Sequence, residues 1–385
     1  MIINILLIII LTIIVIYLFY KATNQFWSRQ PVFHFHNLKY WMFPPGIIQK
    51  ELPRKDKFYN IKIQFDSFVK LKTEKKALFI SFIKSHFMPN KHELYNPTEK
   101  SIMPYFECNN DKSFISLNIQ KTRKNNNMLI SSMTTRPMDC FINGEKLNIY
   151  YVDFLCVHKD KRKQGMAPEI IYSHYVNQRT KHKNVVFLFK REGDSTFIVP
   201  VTVYKTYGFD MKYWKKNIKF DQPNINTVFI NDSNLNIITD MLNNINKSFS
   251  CVIKPFITNI KHLLQNKNIF ISCVTIDNNP ICLYVFKNTY TTYNGKKSLE
   301  LIASYLNMDF INMENIFVLG ALISIDNLIQ QYNYEVLFIE NISNNNIILK
   351  NILERYTYMF EINHSYYLYN FGIRPFMCNN VFIIA

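Results

Sequence analysis

The chain has 385 residues, with 45 Lys and Arg against 28 Asp and Glu for a formal charge of +17. That length supports a large buried core in two domains or one double domain, and the charge calls for an acidic partner: nucleic acid, an anionic membrane face or a phosphate-rich cofactor. The many Asn, Ile and Lys residues suggest an AT-rich coding sequence, which raises Lys without selection, so the charge argues weakly for nucleic acid, and no zinc-finger, RNP-type or KH-type motif is visible; seven widely spaced cysteines with no Cys-x-x-Cys pair favour a reducing compartment and no structural zinc.

Met1 to Tyr20 is almost wholly apolar, interrupted only by Asn4 and Thr12, and a helix of about 20 such residues spans a bilayer. The expectation is a single-pass anchor (residues 1–20). A cleaved signal peptide is the rival, but it would need a basic start and a small-residue cleavage site, and neither is present. Lys21 and Arg29 place the following body on the cytoplasmic side. Next comes Gln25-Phe26-Trp27-Ser28-Arg29-Gln30-Pro31-Val32, where Phe26 and Trp27, just outside an apolar helix, fit an interfacial aromatic belt. Residues 33–66 read as extended chain with a turn at Pro44-Pro45-Gly46, and residues 77–87 as a helix.

Residues 114–120, 128–133 and 147–157 read as three antiparallel strands, turning at residues 124–127 and 143–146. A basic turn follows, Lys159-Asp160-Lys161-Arg162-Lys163-Gln164-Gly165-Met166-Ala167-Pro168, then a helix to Arg179 and a strand over 185–189. Proline is tolerated in a first helical turn, whose N–H groups have no partner in the helix. Those free N–H groups bind anions, and Gly165 lets the backbone approach a ligand, so a pyrophosphate fits between Arg162 and Ala167. The alternative is a solvated basic turn before an ordinary helix. Farther on, a hairpin is expected from residues 269–276 and 281–286, with helices over 298–306 and 315–332. The last residues, Val381 to Ala385, are apolar enough for either a buried or a surface strand.

Arg162-x-x-Gly165-x-Ala167 resembles the coenzyme A pyrophosphate loop of GNAT acetyltransferases, and Phe154-Leu155-Cys156-Val157-His158-Lys159 with Ala167-Pro168 is similar to the signature block of the N-myristoyltransferases. Phe26-Trp27 with Gln30-Pro31-Val32, and Tyr366-Tyr367-Leu368-Tyr369-Asn370-Phe371, resemble two further blocks of that family in the right order. The resemblance implies an α+β fold of two pseudo-symmetric GNAT-like halves, an acyl-CoA-binding half over 21–219 and a peptide-binding half over 220–385, divided near Lys219. It implies transfer of a tetradecanoyl group from tetradecanoyl-CoA to the N-terminal glycine of proteins, with no metal. Acyl-CoA would contact Gln25, Phe26, Trp27, Phe154, Leu155, Cys156, Val157, Arg162, Lys163, Gln164, Gly165, Met166 and Ala167. Catalysis would use the backbone N–H groups of Phe154 and Leu155 as an oxyanion hole and the Ala385 carboxylate as base. Asp153, Tyr95 and Tyr204 would meet the peptide.

Asp153 replaces an Asn of the family, and Lys190-Arg191-Glu192-Gly193 replaces a small Thr-Ala-Gly segment. The acidic run of the loop near Tyr95 is reduced to Glu93 beside Lys91 and His92. Two other functions therefore stand beside transfer of a long acyl chain: an acyltransferase using a short acyl-CoA, and a non-catalytic binder of acyl-CoA or peptide. The expected partners are acyl-CoA, glycine-starting peptides and a membrane, and the expected state is a monomer.

Overall fold

The computed structural model describes residues 2–87, 93–121, 127–194 and 196–385. Part of the expected peptide loop, including Lys91 and His92, and most of the turn at 124–127 lie outside the described residues.

The elements needed to place the site are, in chain order, α1 (Ile2–Thr23), α2 (Leu38–Met42), α3 (Thr73–His86), β1 (Phe114–Lys121), β2 (Asn127–Ile142), β3 (Glu145–Val152), α4 (Met166–Arg179), β4 (Val186–Glu192), β5 (Thr202–Asp210), β6 (Cys251–Lys254), β7 (Ile269–Ile276), β8 (Asn279–Tyr293), β9 (Lys296–Leu306), α5 (Glu314–Tyr332), β10 (Val336–Glu340), β11 (Phe360–Tyr369) and β12 (Val381–Ile383). Two runs share one plan. In the first, antiparallel β1, β2 and β3 lead through α4 to β4, which lies parallel to β3; in the second, antiparallel β7, β8 and β9 lead through α5 to β10, parallel to β9. Each run then exchanges its final strand. β5 pairs with β10, while β11 lies between β5 and β4, so one mixed sheet is continuous through both runs. The last strand, β12, runs parallel to β6 beside β2.

Several boundaries differ from the sequence reading for physical reasons. Residues 298–306 form the strand β9, because both faces of this Leu- and Ala-containing run are covered between β8 and β10, and two ladders of backbone bonds outweigh helix propensity. The expected strand over 147–157 is interrupted. Val152 pairs with Thr135 and Cys156 with Ser132, so Asp153, Phe154 and Leu155 lie opposite only Met133 and Thr134. One extra residue on one strand is a bulge, and residue pattern alone does not reveal it. β4 continues through Glu192, which puts Lys190 within a strand, and a short helix, α2, stands inside the expected extended chain.

Helix α4 is fixed by polar contacts as well as apolar ones. Gly165 caps its start at φ 82°, in the left-handed region that glycine adopts freely. At its other end Arg179, almost wholly buried, donates to the carbonyls of Gln49, Lys50 and Glu51 and to the Tyr175 hydroxyl, tying the N-terminal segment to the sheet. Midway, the buried His174 ring meets the hydroxyls of Ser116 at 2.8 Å and Thr135 at 3.0 Å. Burial lowers its pKa from 6.5 to about 3, with Gln178 opposing. The unfolded chain therefore takes up a proton below about pH 6.5 that the folded chain refuses, so stability is full above that pH and declines as pH falls toward 3. Denaturant unfolding across this range should show a slope of up to roughly 1.4 kcal/mol per pH unit from this group, and His174→Gln should flatten it.

Candidate active site

Three cavities meet at the bulge between β3 and the helix α4. The first, of about 600 Å³, lies against the basic turn and is lined by Leu155, Cys156, Val157, Arg162, Lys163, Gly165, Met166 and Ala167, with His86 from α3. The left-handed Gly165 starts α4 at the edge of this space, where the first amides of a helix have no partner within it, and the exposed Arg162 and Lys163 join them. Arg162 is held in place: its Nη2 donates to the His86 carbonyl at 2.6 Å and its Nε to the Val157 carbonyl at 3.3 Å. Gln164 bonds back to the Asp160 carbonyl at 3.1 Å. Cys156 is buried, and burial pushes its thiol up to about 12, opposed by Arg162, so it is a poor nucleophile near neutral pH.

The second cavity, about 120 Å³, is walled by Trp27, Met133, Ile171, Phe187, Phe189 and Tyr369 among others. The two terminal sequence blocks build it together. Tyr369 donates its hydroxyl to Gln30 Oε1 at 2.6 Å, Asn370 N–H donates to the Pro31 carbonyl, and Trp27 stacks on Phe189 at 5.9 Å. Phe26 is buried beside Phe58, and Gln25 accepts from Lys57, so these two residues support Trp27 from outside the wall.

The third cavity is a groove of about 390 Å³ that includes Tyr95, Tyr105, Asp153, Phe154, Lys190, Lys287, Glu300 and His364. Asp153 and Lys190 line both the groove and the apolar cavity, while Leu155 lines both the apolar cavity and the one at the basic turn. The backbone of Asp153 to Leu155 is thus the place where all three spaces join.

Charge at this junction is paired. Arg136 Nε donates to Asp153 Oδ2 at 3.0 Å, and its guanidinium lies over the rings of Tyr105 and Tyr151. Burial raises the Asp153 carboxyl, with Arg136 and Lys287 opposing. Lys190 Nζ donates to Glu340 Oε1 at 2.5 Å, with Glu300 4.0 Å away. Burial alone would lower the Lys190 ammonium; Glu340 and Glu300 outweigh it and hold it above its usual range. His364, by contrast, is driven down to about 3 by burial and then by Lys190, so it faces the groove neutral.

The expected catalytic residues sit as follows. Phe154 N–H donates to Thr134 Oγ1 at 3.1 Å and Leu155 N–H to the Asp153 carbonyl at 2.8 Å, so each amide already has a partner at the junction. The Ala385 oxygen accepts from Lys287 Nζ at 2.9 Å, and Lys287 lines the groove. Residues 381–384 are buried and Ala385 partly so. Tyr95 lines the groove; Tyr204 is instead buried against His364, its hydroxyl donating to Glu340 at 3.0 Å. Arg136, Lys287, Glu300 and Glu340 were absent from the sequence reading, because nothing local marks a partner as far away as Glu340 is from Lys190.

Residues 50–188 match the family model described as "Myristoyl-CoA:protein N-myristoyltransferase, N-terminal domain". That stretch is similar to the N-terminal domain of the N-myristoyltransferases. A curated Arabidopsis thaliana protein, provisionally named glycylpeptide N-tetradecanoyltransferase 2, is 24% identical over 392 aligned positions, covering 92% of this chain and 87% of its own length. Two crystal structures of Saccharomyces cerevisiae N-myristoyltransferase with bound myristoyl-CoA share the fold. One has a TM-score of 0.71 at 13% identity, covering 92% of this chain and 94% of that one; the other has 0.72 at 14%, covering 93% and 91%. Within this family fold, the Arg136–Asp153 pair is the buried interaction on which the junction rests. Removing one partner leaves an uncompensated charge, so Arg136→Met should cost about 3–5 kcal/mol in denaturant unfolding. The double variant Arg136→Met with Asp153→Asn should recover part of that loss.

Proposed function

We propose that the protein transfers a tetradecanoyl group from tetradecanoyl-CoA to the N-terminal glycine amine of proteins. The observation that carries this reading is the convergence of three chemically distinct spaces on Asp153 to Leu155. The basic turn from Arg162 to Ala167 takes the coenzyme A phosphates, the cavity behind Trp27 takes acyl carbons, and the groove takes the peptide. The basic-turn cavity is lined from the half spanning 21–219, the apolar cavity adds Tyr369 from 220–385, and the acceptor groove draws on both halves.

In this reading the glycine amine attacks the thioester carbonyl carbon at the junction. The carbonyl oxygen gains negative charge and is met by the amides of Phe154 and Leu155, which exchange their present partners for it. The C–S bond then breaks, coenzyme A leaves as the thiolate, and the thiolate takes the second proton from the attacking nitrogen, leaving a neutral amide. An N-terminal amine has a reference pKa of about 7.7–8.0, so its proton must be removed for attack; with Ala385 as the terminal residue, its carboxylate accepts that proton. Asp153 and Tyr95 flank the incoming glycine, and Tyr204 acts indirectly through Glu340. No thiol or metal takes part. Helix α1 is the membrane anchor, with the catalytic body on the cytoplasmic side. Trp27 is the fourth residue after Thr23, a reach of at most about 14 Å, so the acyl cavity opens close to the bilayer.

Two observations favour the other readings. The apolar cavity is the smallest of the three, which favours a shorter acyl chain. The Lys190–Glu340 ion pair and the partnered amides of Phe154 and Leu155 favour a binder without turnover.

The deciding experiment gives the full-length protein in detergent an acyl-CoA series from acetyl to tetradecanoyl, with glycine-starting peptides, and follows coenzyme A release. Turnover highest with tetradecanoyl-CoA, lost when a short tag extends Ala385, is the expected result. Turnover with acetyl-CoA that survives the tag would establish the short-chain enzyme, and tight tetradecanoyl-CoA binding without release would establish the binder. Gly165→Ala forces alanine into the left-handed region at a cost of about 1–2 kcal/mol. It should raise the KM for tetradecanoyl-CoA roughly tenfold while leaving kcat nearly unchanged.

A further inference from the structure

The body carries a second apolar surface next to the end of α1. Phe35 is 69% exposed, Leu38 64%, Met42 63%, Phe43 58% and Phe197 52%, whereas Tyr40 on the inner side of α2 is buried. These residues form one connected structure. Phe35 N–H donates to the Phe197 carbonyl at 3.0 Å, Trp41 Nε1 donates to the Phe35 carbonyl at 2.9 Å, and the Phe35 and Trp41 rings meet at 5.7 Å.

The same surface is packed on the final turns of α1. Tyr20, the one buried residue of that helix, meets Phe197 with ring centroids 4.6 Å apart, and Tyr17 meets His36 at 5.1 Å. Helix α1 has 22 residues, about 33 Å at the helical rise, against a hydrocarbon core about 30 Å thick. With its N-terminal end at the far face of that core, only about 3 Å of helix passes the near face, and Tyr20 and Tyr17 lie roughly 3–8 Å inside it, at the acyl boundary where interfacial apolar groups bury. Whatever packs on Tyr17 and Tyr20 is then held at that depth. The exposed Lys21 and Lys39 beside this surface suit the anionic side of a lipid layer.

We infer that Phe35, Leu38, Met42, Phe43 and Phe197 form an interfacial collar that dips into the lipid headgroup region and fixes the orientation of the body on the membrane. This rests on the reading of α1 as a membrane anchor. The collar's occupant is the bilayer itself: its aromatic and aliphatic side chains surround the exit of an apolar helix, and Trp41 lies among them as interfacial tryptophans do.

The test uses the full chain in lipid vesicles with Trp41 as the sole tryptophan, through Trp27→Phe and Trp214→Phe. Anchoring by α1 is read separately, as resistance to extraction by alkaline carbonate. The expected result is extraction resistance together with a blue-shifted Trp41 emission that loses most of its intensity to lipids brominated on the upper acyl chain. Replacing Phe35, Leu38, Met42 and Phe43 by Ser should abolish the quenching while leaving extraction resistance intact. Extraction resistance with unquenched Trp41 in the chain carrying an intact collar would overturn the collar and leave the anchor standing. Complete extraction would overturn the anchor and, with it, the collar. Quenching replaced by a Trp41 shift that grows with protein-to-lipid ratio would assign the surface to a second copy of the chain, and would also overturn the proposal.

Discussion

The arrangement of the candidate site depends on one mismatch in strand pairing. Three residues, Asp153 to Leu155, occupy the space opposite Met133 and Thr134, and this extra length turns a regular ladder into a junction open on three sides. The mismatch is held from beneath by Arg136, whose side chain is almost completely buried between Tyr105 and Tyr151 and ends on Asp153. A buried guanidinium is costly unless its partner is fixed, so the pair constrains both strands at once. Close by, Thr134 accepts from the Phe154 amide and passes the constraint to the backbone.

The exchange of final strands gives the junction its second support. β5 leaves the first run to pair with β10, and β11 returns from the second run to pair with β4, so Lys190 on β4 and Glu340 at the end of β10 belong to one continuous sheet. Neither run can close its sheet alone. The groove is bounded by residues of both runs because the hydrogen-bond ladders pass between them. β12 extends the same logic to the chain's last residues, carrying Ala385 to Lys287 on β8 through its parallel pairing with β6.

Much of this was legible in the sequence wherever the signal was local. The glycine before α4, the apolar run of α1, the hairpin joining β7 to β8 and the three motif blocks each sit within a short window, and each element is found there. The blocks even meet, since Gln30 to Val32 bond to Tyr369 and Asn370. Signals failed where tertiary context decided. Residues 298–306 carry good helix formers, yet their two-sided burial makes them a central strand. Residues 147–157 have uniform strand character, yet one residue too many for their partner. Arg136, Lys287, Glu300 and Glu340 look like ordinary surface charges until the sheet brings them together, and Tyr204 looks like a wall residue until His364 covers it.

The bulge also has a genetic meaning. A sheet register counts in whole residues, and shifting it by one sends every later side chain to the opposite face. Losing one codon from the stretch Asp153 to Leu155 would let the two strands zip into an uninterrupted ladder, closing the junction by register as well as by the loss of the residue itself. Point substitution cannot produce or erase such a feature. Gain or loss of this site among related chains is therefore a matter of insertion and deletion, and a comparison that scores only residue identity would pass over it.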